Sequence, residues 1–108
     1  MFDNANLAFG HEGKVLTAIA QSADSIDSTV DPAGRLAILD SIQANLDLLT
    51  TEYTFKILGG AAVDQARQAI AAQDEIAQQD IFCALMLGAK ERAEIAYCAV
   101  RDAGETAN

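Results

Sequence analysis

Few residues in this chain have side chains that could do chemistry, and each can be weighed by its surroundings. His11 is the sole histidine and stands beside Glu12; Cys83 and Cys98 are the only thiols; Asp24 with Asp27, and Asp74 with Glu75, form close carboxylate pairs. A cysteine becomes a nucleophile when a neighbouring base lowers its thiol pKa, so His11 with either cysteine is the one nucleophilic pairing the composition allows. A helical di-iron site needs Glu-x-x-His pairs from two helices, and a histidine-ligated zinc site draws on several His or Cys ligands. One histidine near the start and two cysteines near the end assemble neither set. The carboxylate pairs fall in polar stretches, where solvated surface charge accounts for them. Gly59-Gly60 is followed by alanines, without the Lys-Ser/Thr that a phosphate-cradling loop supplies. The expectation is a non-enzyme with no catalytic, cofactor-binding or metal-binding residue and no cofactor.

Cys83 sits in the most apolar run of the chain, Ile81-Phe82-Cys83-Ala84-Leu85-Met86-Leu87. Burial there raises a thiol's pKa and leaves it inert, and Cys98 follows an alanine-rich stretch of the same helix. Fifteen residues of helix separate the two sulfurs by ~22 Å, beyond the ~7 Å Cα separation that a disulfide spans. Two unbridged thiols fit a reducing compartment. Met1-Phe2-Asp3-Asn4 lacks the basic start of a secretory leader, and no stretch approaches ~18 uninterrupted apolar residues. A cytoplasmic protein with no membrane span is expected.

The elements that must position these residues are helices. Proline occurs once, at position 32; Ala, Leu, Gln and Glu dominate the long segments, and no strand-like alternation is found. Residues 1–13, with Asn4, Asn6, Gly10 and Gly13, read as an irregular arm pinned by Phe2, Leu7 and Phe9. Val15, Leu16, Ile19, Ala23 and Ile26 trace one face of a helix over about 14–28. Asp31-Pro32 marks the next start: the Asp31 carboxylate can accept from free first-turn amides, and Pro32 fits the first helical position. Leu36, Leu39, Ile42, Leu46, Leu49, Tyr53 and Ile57 then predict one long amphipathic helix over 32–58, stopped by Gly59-Gly60. Weaker periodicity gives a third helix over 61–77. A fourth is read over 80–103, capped by Asp80, closed by Gly104, and with an inner face continued by Tyr97 and Val100. The third and fourth could also be continuous. The predicted fold is an all-α, small three- or four-helix bundle in a single domain over 1–108, with its core on the second and fourth helices.

Sixteen acidic residues against seven basic ones leave a formal charge of −9 on 108 residues. Phosphate-backbone affinity depends on clustered Lys and Arg, so direct nucleic-acid binding is not expected. Each of the segments 1–30, 31–60, 61–80 and 81–108 carries four carboxylates. The acidity is therefore dispersed, although Lys90, Arg92 and Arg101 make the last segment the least negative.

What remains is a surface function. A non-catalytic helical protein–protein interaction module, self-associating as a homodimer in one form, is the first expectation, because residues 81–87 are apolar all the way round and such a helix is buried on several sides. Ile81, Phe82, Leu85 and Met86, joined by Tyr53 and Phe55, are the candidate interaction surface, with the alternative that aromatic residues at helical spacing are core. The alternative function is an acidic inhibitor or nucleic-acid mimic of the kind carried by phages or mobile elements, binding a basic partner. Finally, Val30-Asp31-Pro32 followed by Leu36-Ala37-Ile38, Ile42, Leu46 and Leu49 resembles the Asp-Pro helical segment of needle and inner-rod subunits of bacterial type III secretion systems. That resemblance implies a helical subunit of a bacterial secretion assembly. Those subunits end soon after this segment, whereas the chain here continues.

Overall fold

The computed structural model describes the backbone of residues 2–29 and 31–106 and the side chains of residues 11–29 and 31–98. Four helices follow in order: α1 (Phe2–Asp24), α2 (Pro32–Asp47), α3 (Tyr53–Ala71) and α4 (Glu75–Thr106), with a short 3₁₀ turn at Ser25–Ser28 after α1. Among the described residues there is no strand.

The helices run up-down-up-down, and each packs on its neighbours in a ring closed by α1 against α4, the most extensive pairing. The direction of each is read from the contacts: Thr29 meets Arg35 and Glu12 meets Thr50 between α1 and α2. Arg67 meets Asp40 between α2 and α3, and Arg92 lies on Phe55 between α3 and α4. The fully buried centre is Leu16 and Ile19 of α1, Leu39, Ile42 and Leu46 of α2, Val63 and Ala66 of α3, and Phe82 and Ala89 of α4. At 1.5 Å per residue α4 alone is ~48 Å long, and it sets the long axis of a rod measuring 53 × 21 × 17 Å.

The bundle class is as the sequence predicts, while several boundaries are corrected. Residues 2–13 are not an irregular arm: they are the first turns of α1, since no residue between 2 and 13 is a proline and the Gly10 and Gly13 positions are helical. At Gly13 the helix runs close under the Tyr97 ring: an added Cβ would lie 3.0 Å from it and displace the half-exposed ring by a few tenths of an ångström. Phe2, Leu7 and Phe9, read as pins for the arm, have side chains outside the described residues, as does Val100. Near the other end of α1 the hydroxyls of Ser25, Ser28 and Thr29 take the Ser22 and Ser25 carbonyls, the local competition that ends helices at such residues.

The helix expected over 32–58 is two helices. α2 starts at Pro32 as predicted, but the Asp31 side chain makes no cap hydrogen bond. α2 stops at Asp47, and Gly59-Gly60, read as a stop, lies inside α3. The reason for Gly59 is clearance: a Cβ there would come within 2.8 Å of Leu46 Cδ2, so its absence lets α3 lie close on α2. α3 ends sooner than expected. Gln73 adopts φ 59°, with the Asp74 amide donating to Ala69 O and the Gln73 amide to Ile70 O, a Schellman closure with glutamine in the left-handed position usually given to glycine. The third and fourth helices are thus separate. Asp74, and not Asp80, caps α4 by accepting from the Ala77 amide at 3.1 Å, and α4 passes through Gly104 to Thr106.

Candidate functional site

Glu12 is nearly inaccessible, at 1% exposure, on the face of α1 that meets the α2–α3 loop. Its Oε1 accepts three hydrogen bonds, from the Thr50 amide at 2.5 Å, the Thr50 hydroxyl at 2.6 Å and the Thr51 amide at 2.9 Å. Oε2 is buried with no partner. Burial pushes the Glu12 carboxyl up, but the hydrogen bonds from Thr50 and Thr51 outweigh it and hold the group below its ordinary value. His11 reaches the same loop: its Nε2, as the protonated nitrogen, donates to Leu48 O at 3.2 Å. His11 and Glu12 together fasten α1 to the end of α2.

A second buried charge holds the opposite end of α2. Arg35 is 5% exposed; its Nε donates to Thr29 O at 2.7 Å, and one terminal nitrogen donates to both Glu75 oxygens at 2.8 Å and to Gln78 Oε1 at 2.7 Å. Gln78 Nε2 in turn donates to Ala69 O. The guanidinium joins α2 to the turn after α1 and to α4, and Gln78 carries the link on to α3. Its sequence signal was its register: position 35 falls on the stripe 35, 39, 42, 46, and the expected first member, Leu36, is exposed instead.

Both cysteines are exposed. The expectation of a buried Cys83 is therefore corrected: in α4 the core takes Phe82, Leu85, Ala89, Ala93 and Ala96, and position 83 lies on a flank of that stripe. The run 81–87 is likewise not buried on all sides, since Cys83, Ala84 and Leu87 are exposed. Among the described residues no group of three or more His, Cys, Asp or Glu could hold a metal ion, and no helix is long and apolar enough to cross a membrane.

The six residues expected to form an interaction surface are divided by the fold. Phe55, Phe82 and Leu85 are core, Ile81 and Met86 pack against it half-buried, and only Tyr53 stands in solvent. Phe55, Phe82 and Leu85 spend most of their surface inside the bundle, while Phe55 and Leu85 also wall a groove between α3 and α4. Exposed apolar residues lie on the same two helices. Residues 53–63 and 81–90 contain no carboxylate, and the fold sets these two acid-free stretches side by side on α3 and α4. Tyr53, Ile57 and Leu58 on α3 are 65%, 71% and 60% exposed, and Leu87 on α4 is 56% exposed. Between the helices lies a groove of about 230 Å³ walled by Phe55, Leu58, Ala62, Ala84 and Leu85, with Arg92 at one end. Arg92 is already engaged, 4.9 Å above the Phe55 ring and 3.8 Å from Glu52. A larger cleft of about 340 Å³ runs between α1 and α4 past Ala20, Ala93 and Tyr97, but Asp24, Lys90 and Glu94 all border it.

Carboxylates gather instead at the end of the rod where the 3₁₀ turn meets the starts of α2 and α4: Asp24, Asp27, Asp31, Asp74 and Glu75 all belong to it, and of these only Glu75 is ion-paired among the described residues. No family model matches the chain, and comparison with characterised proteins and with solved structures finds no match. The resemblance to secretion needle and inner-rod subunits thus stays confined to the segment that suggested it, of which Val30 lies outside the described residues.

Proposed function

We propose that the chain is a non-catalytic helical interaction module that docks another protein through the acid-free face of α3 and α4. The observation that carries this reading is the groove between α3 and α4 walled by Phe55, Leu58, Ala62, Ala84 and Leu85, on two helices that also expose Tyr53, Ile57 and Leu87, in a chain whose net charge is −9. An apolar helix face left in water loses the stabilisation that burial would supply, about 25 cal/mol per Å², and exposed apolar surface beside a groove is the kind of surface that contact sites use. Two exposed free thiols support a cytoplasmic setting, since a reducing compartment keeps such thiols unpaired. The test is affinity capture from the source cells with the wild-type chain and a Leu58→Glu/Leu87→Glu variant. Selective loss of associated protein, other copies of the chain included, supports the reading, and an unchanged capture profile overturns it.

The acidic end favours a second reading, an inhibitor that presents carboxylates to a basic partner. Its mark is binding that weakens steeply with salt, unaffected by Leu58→Glu and reduced by Asp27→Asn with Asp31→Asn.

A further inference from the structure

We draw no further inference here: the strongest candidate, the cleft of about 340 Å³ between α1 and α4 past Ala20, Ala93 and Tyr97, is bordered by exposed charges of both signs, Asp24 and Glu94 against Lys90, and nothing in the structure shows what covers it.

Discussion

Glu12→Gln separates the charge of the buried carboxylate from its shape. Gln keeps an oxygen in the place where Oε1 accepts from Thr50 and Thr51, but the three bonds become neutral. A hydrogen bond to a charged group is worth about 1.5–3 kcal/mol against about 0.5–1.5 for a neutral one, so three of them lose roughly 3 kcal/mol. The new amide nitrogen enters the position of Oε2, which has no partner, at a further cost of about 1 kcal/mol. Removing a buried charge returns some of this, leaving a net destabilisation of about 2 kcal/mol at pH 7. The pH dependence follows from the sign of the shift. The folded carboxyl titrates below its ordinary 4.5, so its contribution is fully present above that value and is lost as pH falls through the folded pKa. The gap between wild type and Glu12→Gln should be widest near neutrality and close in acid. Urea unfolding followed at 222 nm, at pH 7 and stepwise down to about pH 3, reads it as a shift in midpoint. A variant within about 0.5 kcal/mol of wild type at pH 7, or a gap that persists in acid, would refute the reasoning.

The adjacent glycines of α3 should respond in opposite directions in thermal unfolding. Gly60→Ala meets only Gln43 Oε1, at 3.9 Å, and gains about 0.5–1 kcal/mol of helix propensity. Gly59→Ala gains the same but drives a methyl into the fully buried Leu46, an overpacking worth about 1–3 kcal/mol, and should melt earlier. Arg35→Ala should cost about 3–5 kcal/mol by leaving buried partners unpaired, whereas Glu75→Gln, whose side chain is 63% exposed, should cost less than about 1 kcal/mol in the same measurement.

How much was legible depended on whether the deciding interaction lay nearby in the chain. The start of α2 at Pro32 could be read because a proline's fixed φ and missing amide act on the residue itself. The break after Asp47 could not: Thr50 and Thr51 leave the helix with their amides held by Glu12, 38 and 39 residues earlier. Gly59-Gly60 was misread for the same reason, since the local rule makes glycine a terminator while the close approach of Leu46 makes it a spacer. In α4 the true start at Glu75 and the cap by Asp74 were hidden by the weak periodicity of 73–80, and the left-handed turn at Gln73 carries no glycine to announce it. Phe55, Phe82 and Leu85 were read as part of an interaction surface and are buried in the bundle, because their spacing alone does not say whether they pack on the bundle or on a partner.

The sequence by itself determined the all-helical class, the apolar stripes that build the core, the −9 charge and the scarcity of nucleophiles and ligands, because composition and 3.6-residue periodicity are properties of the chain alone. Only the tertiary structure decided which apolar residues remain in water. The carboxylates look evenly dispersed along the chain, four to each segment. Yet antiparallel packing of α3 on α4 lays the stretches 53–63 and 81–90 side by side and so turns two gaps in the acidity into one stretch of surface whose own charges are Lys56 and Lys90. A face is made from residues that are neighbours in space, and which helices become neighbours is settled by packing, by Gly59 beneath Leu46 and by the buried charges of Glu12 and Arg35 at the two ends of α2.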